Sequence, residues 1–346
     1  MTRILHTGDT HIGFRQYGLE ERREDFAKAF LEVVQLAIDE RVDAVIHAGD
    51  LFEDRLPGAE DLQATLQGLF QLKNAQIKFL GIVGNHEQRR GVQWLDLFAS
   101  LDLAVHLTLQ PYDLRGIPIY GLDFSGRREI EPPRCEGGVL VCHQLLDEVE
   151  PDGELSLKKL YTCGAKTILL GDFHERKVWY EKGILVTYCG STERWALDEQ
   201  RKRSVNLIDL KNNRIDHRDL QKTREFFYIN ADEDPVQRLK TADVTDKVVV
   251  VYLKSARATV SELEELGRQR GALAVRVRDL RETDSEIEHQ PDVQMDYGDL
   301  EQAISEALAR RTLSPLAREM DQIIRDFRIP DSNIDSEVTS LLEGRR

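Results

Sequence analysis

Three short apolar runs alternate with two helix-length stretches over residues 1–90. Each run stops at a turn that carries an acid, an amide or a histidine. Ile4-Leu5 reads as the first strand. A helix over about 19–40 follows, with Phe26, Phe30, Val33, Val34 and Ala37 on one face at a 3.6-residue period. The stretch 43–48 reads as a buried strand, 59–73 as a second helix and 77–83 as a third strand. Such β-α-β-α-β alternation implies a parallel sheet with crossover helices. Functional sites in such sheets lie at the carboxyl ends of the strands.

Those ends are where the unusual residues fall. Gly8-Asp9-Thr10-His11 follows the first strand, Gly49-Asp50-Leu51-Phe52 the second and Gly84-Asn85-His86-Glu87 the third. In an extended segment, side chains two apart point the same way, so Asp9 and His11 are expected to reach one point. Oxygen and nitrogen donors gathered at one point suit a divalent metal. Taken alone, one Asp-x-His reads more often as a solvated turn, but here the pattern recurs. The run Val139-Leu-Val-Cys-His143 delivers His143, and Thr167-Ile-Leu-Leu-Gly-Asp-Phe-His174 delivers Asp172 and His174 at the spacing of Asp9 and His11.

The segment 104–219 is strand-rich, with strands expected at 117–122, 138–142, 166–170, 177–180, 183–188, 204–210 and 214–219; Asn212-Asn213 marks a hairpin turn. The organisation read from the sequence is a domain over 1–220, a small α+β unit over 221–280, a polar, acidic linker over 281–297 and a helical tail over 298–346. The small unit is expected to carry strands at 225–229, 247–253 and 272–277 and a helix at 260–270. Three apolar stripes mark the tail. They run from Leu300 to Leu308, from Leu316 to Phe327 behind a Ser314-Pro315 start, and from Ile334 to Leu342. Helices this short bury little of their stripes on one another, which points to a partner groove or bundle.

Charge limits how such a chain meets a polyanion. Of 346 residues, 47 are Lys or Arg and 62 Asp or Glu, a net charge of −15, so the overall field does not attract nucleic acid. Local clusters must do so. Arg15, Arg55, Arg89, Arg90, Arg176, Arg194, Arg201, Lys202 and Arg203 follow closely on the motifs, where a cleft rim would be. Arg55, Arg89, Arg90 and Arg194 are the substrate-binding candidates. The four cysteines, Cys135, Cys142, Cys163 and Cys189, lack CxxC spacing and read as reduced thiols. The N-terminus enters a strand without an apolar signal segment, and no apolar run approaches membrane length. The expectation is a soluble, cytoplasmic protein with no membrane partner.

Asp9, His11, Asp50, Asn85, His86, His143, Asp172 and His174 are too many for one ion, which takes about three to five protein ligands, and suit two. Two ions sharing a carboxylate support in-line phosphoryl displacement, and a histidine beside them can protonate the leaving oxygen. In this order, Asp9-x-His11, Gly49-Asp50, Gly84-Asn85-His86-Glu87, His143 and Gly171-x-x-His174 resemble the calcineurin-type metallophosphoesterase superfamily. Finer features resemble its double-strand-break-repair nuclease family, the archaeal and eukaryotic relatives of the bacterial SbcD nuclease subunit. These are His6-Thr-Gly-Asp-Thr-His-Ile-Gly13, Gly49-Asp-Leu-Phe52 with Pro57 after it, Leu140-Val-Cys-His-Gln144 and Tyr188-Cys-Gly-Ser-Thr-Glu-Arg194.

The resemblance covers 1–220 by motif and the rest by domain order. It implies an α/β metallophosphoesterase sandwich of two mixed sheets flanked by helices, with a small α+β capping domain and a helical C-terminal tail. It implies that Asp9, His11, Asp50 and His174 hold one ion, and that Asp50, Asn85, His143 and residue 172 hold another. Manganese would be preferred and magnesium accepted. His86 would be catalytic, acting on the leaving 3′-oxygen. The activity implied is a manganese-dependent DNA nuclease, a 3′–5′ exonuclease on duplex ends and a single-strand endonuclease, associated with the nucleoid. Its implied partners are DNA ends, a coiled-coil ABC-type ATPase gripped by the tail, and a second copy of the chain joined through the second and third helices. Two positions depart from the family's pattern: Asp172 and Glu53 each stand where histidine is usual. Two other readings compete, a phosphodiesterase for a small phosphoester or cyclic nucleotide, and a non-catalytic scaffold. The domain after 220 and the tail weigh against the first, and metal uptake separates the second.

Overall fold

The computed structural model describes residues 2–126, 129–254, 258–281, 315–324, 338 and 341–342. Two units make up the chain, the first spanning Met1–Thr223 and the second beginning at Arg224.

The first unit is built on two six-stranded sheets. Its opening strands are β1 (Arg3–Thr7), β2 (Ala44–His47), β3 (Lys78–Gly81) and β4 (Val105–His106), with helices α1 (Glu20–Asp39), α2 (Ala59–Asn74) and α3 (Trp94–Ser100) between them. Next come β5 (Tyr112–Leu114), β6 (Ile117–Leu122), β7 (Val139–His143), the short helix α4 (Leu157–Leu160), β8 (Thr167–Gly171), β9 (Lys177–Glu181), β10 (Ile184–Tyr188), β11 (Ser204–Asp209) and β12 (Arg214–Asp219). The order in one sheet is β12-β11-β1-β2-β3-β4 and in the other β5-β6-β7-β8-β10-β9. Strands β1 to β4 are mutually parallel, as the alternation predicts, while β11 adds antiparallel to β1. In the second sheet β6, β7, β8 and β10 are parallel and both edges antiparallel. Both sheets are therefore mixed.

The layering explains why the strand sequences are apolar throughout rather than alternating. Leu5, Val45 and Phe79 face α1 and α2, meeting Phe30, Val33, Val34 and Leu69. Their neighbours Ile4, Ile46 and Leu80 face the second sheet, meeting Ile119, Val139, Val141, Leu169 and Leu185. The far side of that sheet buries Leu140, Cys142, Ile168, Leu170 and Val186 against Leu146, Leu155 and Leu160. Loss of one such side chain, Phe30→Ala for instance, costs about 3–5 kcal/mol. All four cysteines are buried and free.

In the second unit β13 (Phe226–Ile229), β14 (Val248–Leu253) and β15 (Ala274–Asp279) form a parallel sheet, with α5 (Pro235–Thr241) and α6 (Val260–Gln269) in the crossovers. Its core is Ile229, Leu239, Val249, Val251, Leu263 and Val275. Both helix starts are capped, α5 by Asp234 ahead of Pro235 and α6 by a Thr259–Glu262 capping box. Helix α7 (Pro315–Ile324) falls on the second of the tail's stripes. The linker beyond Arg281, the stripe from Leu300 to Leu308, Ser314, Phe327 and Ile334 lie outside the described residues. Val338, Leu341 and Leu342 are described and helical.

Candidate metal centre

Five strands of the first unit, β1, β2 and β3 of one sheet and β7 and β8 of the other, send their carboxyl ends to one place. The expected reason for the convergence of Asp9 and His11 needs correction. Strand β1 stops at Thr7, and neither residue is extended: φ is 49° at Asp9 and 43° at His11. Asp50 (53°) and Asp172 (87°) share this left-handed backbone. Four candidate ligands thus sit in a region that costs an L-residue of order 1–3 kcal/mol and persists only where the surroundings enforce it. The enforcement is visible. Asp9, Thr10, His11 and Ile12 donate backbone N–H bonds to the carbonyls of Gly49, Asp50, Asp50 and Leu51, which zips the β1 and β2 loops together. At Gly84 and Gly49 close approach demands glycine. A Cβ on Gly84 would collide with the Asp50 carboxylate, and one on Gly49, itself at φ 94°, with the His143 ring.

All eight predicted residues meet here. Ligand atoms of Asp9, His11 and His174 fall within 4.8 Å of one another, and so do those of Asp9, Asp50 and His143. His11 Nε2 and His174 Nε2 are 3.2 Å apart. His143 Nε2 lies 2.9 Å from Asn85 Oδ1, 3.3 Å from Asp50 Oδ2 and 3.8 Å from Asp172 Oδ1. Asp50 stands between the two groups, since its Oδ2 is also 3.9 Å from His11 Nε2. Asp172 is set at the margin, its N–H donating to Asp9 Oδ1 at 3.0 Å. His86 donates its backbone N–H to Asp50 Oδ1 (3.0 Å), while its ring Nδ1 turns to the Glu53 carbonyl at 3.2 Å.

Several features fit this donor set to divalent cations. Asp9 is fully buried, and its Oδ2 has no hydrogen-bond donor. Burial lifts its pKa, against the pull of His143 and His174. Burial also opposes ionisation of Asp50, but His143 and His86 outweigh it and hold this carboxyl well below the usual range. Despite burial, the surrounding carboxylates draw His143 up to about 10 and His11 up to about 9. A sealed cluster of carboxylates that drives its histidines to bind protons is a site that calls for positive charge. The outward ring nitrogens are engaged too: His143 Nδ1 is 2.7 Å from Ala48 O, and His174 Nδ1 is 2.9 Å from Glu199 Oε1. His11 Nδ1 has Glu53 Oε2 at 2.8 Å, off the N–H line. Carbonyls and carboxylates behind histidine rings are the usual backing of metal ligands. By contrast, burial lowers His6 and His47 to about 3, leaving both neutral inside the sheet.

The predicted arginines divide. Arg90 is exposed, and Arg55 and Arg89 are half-buried, with the Arg89 guanidinium 5.0 Å above the Trp94 ring. Arg194 is not brought to the rim. Only 8 % of it is exposed, and its Nε donates to the Glu199 carbonyl inside the loop. Arg203 is likewise buried, donating to the His174 carbonyl at 3.0 Å, and with Arg176, Arg201 and Lys202 it lines an open cleft next to His174. Two residues that sequence reasoning passed over, Glu199 and Trp195, back the histidines. Nothing in their spacing marks them, because they act from an irregular loop.

This mixed two-sheet α/β fold with a metal-competent centre at its strand ends defines the metallophosphoesterase class, and the calcineurin-like phosphoesterase family model matches residues 2–176. The DNA double-strand break repair protein Mre11 of Haloferax volcanii is 38% identical over 99% of this chain and 82% of its own. Its counterpart in Halobacterium salinarum is 36% identical over 99% of this chain and 94% of its own, and that of Methanosarcina mazei 36% identical over 99% and 60%. The chain belongs to the Mre11 family of calcineurin-like phosphoesterases. It is a phosphoester hydrolase.

Proposed function

We propose that this chain is a two-metal DNA nuclease that processes DNA ends in double-strand break repair. Its ions would be manganese, with magnesium accepted, and its activities 3′–5′ exonucleolytic on duplex ends and endonucleolytic on single strands. Of three overlapping ligand groups, the third being His11, Glu53 and His86, the two that share Asp9, with Asp50 standing between them, are the observation that carries this reading. Asp9, His11, Asp50 and His174 would hold one ion, and Asp50, Asn85, His143 and Asp172 the other. Divalent ions held there polarise a phosphoryl oxygen and acidify water. The chain's own groups do the rest. His86 keeps Nδ1 on Glu53, so its opposite ring nitrogen is the one to protonate or stabilise a departing 3′-oxygen. Arg55, Arg89 and Arg90 would hold the phosphates on either side of the scissile bond.

The partners proposed are DNA ends, a coiled-coil ABC-type ATPase bound by the tail, and a second copy of the chain. The strongly amphipathic α7 supports the second, and the exposed Phe70, Leu97 and Leu101 on and just after α2 and α3 support the third. The small unit over 221–280 would cap the DNA. Among the described residues no helix is long and apolar enough to cross a membrane.

The test is degradation of an end-labelled duplex with manganese, with zinc and with chelator, beside a cyclic nucleotide. Manganese-dependent shortening of the duplex is expected. Hydrolysis of the small ester alone, or uptake of metal without cleavage of either, would replace this reading by one of its rivals.

A further inference from the structure

Trp195 occupies a place that the family's metal motifs do not assign. Its main chain is clamped at both ends: the carbonyl accepts from Gln16 Nε2 at 2.6 Å, and the N–H donates to Glu199 Oε2 at 3.0 Å. Gln16 is itself fixed by the wholly buried Arg22, whose Nε donates to its side-chain oxygen at 2.8 Å. The indole stacks on Phe14, with ring centres 5.5 Å apart and planes 22° apart. Across the site it lies 5.5 Å from the His174 ring, 6.0 Å from His11 and 6.1 Å from His86. Its Nε1–H donates to Glu53 Oε2 at 3.3 Å.

Glu53 and Glu199 are the two carboxylates behind the histidines. Glu199 Oε1 accepts from His174 Nδ1 while Oε2 takes the Trp195 N–H. Glu53 Oε2 touches His11 Nδ1 while it takes the indole N–H. One residue thus ties down both. The two rings so backed present Nε2 atoms 3.2 Å apart, the separation expected of two nitrogens on one ion at about 2.1 Å each.

We propose that Trp195 is a positioning residue of the metal centre, which acts through Glu53 and Glu199 to fix His11 and His174 on a single ion position. The inference rests on the two-metal reading above. The carboxylate that takes the indole N–H is the one standing where the family usually has histidine, so the indole–carboxylate tie belongs to this chain's own residues. Outer partners of metal-bound histidines typically govern affinity by about 10–100-fold.

Manganese titration by calorimetry tests it, on the full chain as wild type, Trp195→Ala, Trp195→Phe, Glu53→Gln and the pair Trp195→Phe/Glu53→Gln. Trp195→Ala is expected to weaken one of the two ions by about 10–100-fold and spare the other. Both variants keep the main-chain N–H to Glu199, and Trp195→Phe also keeps a ring stacked on Phe14, so a smaller loss than in Trp195→Ala is expected. If the indole acts through Glu53, the pair binds no more weakly than Glu53→Gln alone. Should Trp195→Ala fail to fold, the phenylalanine variant and the cycle carry the test. Wild-type binding of both ions by the two Trp195 variants overturns the inference, as does full additivity in the pair. A wild type that takes up no ion would instead remove the metal reading, and this inference with it.

Discussion

His11 Nε2 and His174 Nε2 stand 3.2 Å apart, although 163 positions separate the two residues in the chain. Both outward nitrogens face carboxylates, which favours the tautomer with the proton on Nδ1 and a lone pair on each Nε2. Two lone pairs aimed at one another repel unless a cation or a proton stands between them. Manganese is therefore expected to stabilise the fold, by about 2.7 kcal/mol at a concentration 100 times its dissociation constant. Melting curves in chelator and in manganese should differ by the corresponding shift, and the part of it owed to the ion on His11 and His174 should vanish in His11→Ala. A wild-type melting point indifferent to manganese contradicts this.

Asp50 is the second point of leverage. Its Oδ2 lies 3.3 Å from His143 Nε2 and 3.9 Å from His11 Nε2, and its Oδ1 takes the His86 N–H. Asp50→Ala is expected to lose both ions and all hydrolysis. Retention of one ion at wild-type affinity, measured by calorimetry, would restrict Asp50 to a single position.

What could be read from the chain was the order of chemistry along it. Asp9, Asp50, Asn85, His143 and His174 each follow an apolar run, and parallel strands deliver such residues to one edge. The burial of β2 was legible from its unbroken apolar run. How the side chains converge was not. Extended geometry was the natural reading of Asp9-x-His11, but φ values of 49° and 43° are imposed by bonds to the β2 loop some forty residues away, which no local pattern encodes. Glu199 and Trp195 were missed on the same ground, since their partners come from other loops. Arg194 follows a motif as a rim arginine would, yet its Nε donates to the Glu199 carbonyl and its Nη1 stands 4.0 Å from the Glu193 carboxylate. The antiparallel addition of β11 to β1 depends on a return of the chain from residue 204, again beyond local pattern.

Asp172 replaces the donor usual at its position, and its backbone already serves the site by donating to Asp9 Oδ1. Its carboxylate, 3.8 Å from His143 Nε2, would as a ligand add a hard oxygen and so favour manganese over zinc. Asp172→Ala should weaken one ion selectively, and Asp172→His should retain it. Anomalous scattering from manganese-soaked crystals would settle the matter: equal occupancy of both positions in Asp172→Ala would show that the carboxylate is not a ligand.

His86 is expected to serve the chemistry and not the metal. Removing a positioned acid costs about 10²–10⁴-fold in rate, so His86→Gln should retain two ions by calorimetry and lose duplex cleavage by that order. Loss of an ion in this variant would make His86 a ligand instead.

The last prediction concerns pH and lies outside the metal ligands. His106, on β4, links α3 to the loop after β6. Its Nδ1 is 2.7 Å from Asp96 Oδ1, and its Nε2 is 3.1 Å from both oxygens of Asp123. Asp123 Oδ1 also takes the Val83 N–H just before Gly84 and Asn85, so this contact supports a loop of the site. Burial disfavours the imidazolium, but the two carboxylates overcome it and raise the pKa from 6.5 to about 9. A pKa raised on folding adds stability that is complete below the unfolded value and lost as pH climbs through the folded one. Stability should therefore decline between about pH 6.5 and 9. The side chains of Asp96 and Asp123 are 43% and 34% exposed, so solvent screening reduces the effect to on the order of 1–2 kcal/mol. His106→Gln should flatten that decline while lowering stability at pH 6. Urea unfolding of both proteins across this range gives the comparison, and parallel curves for the two would show that the triad carries no proton-linked stability.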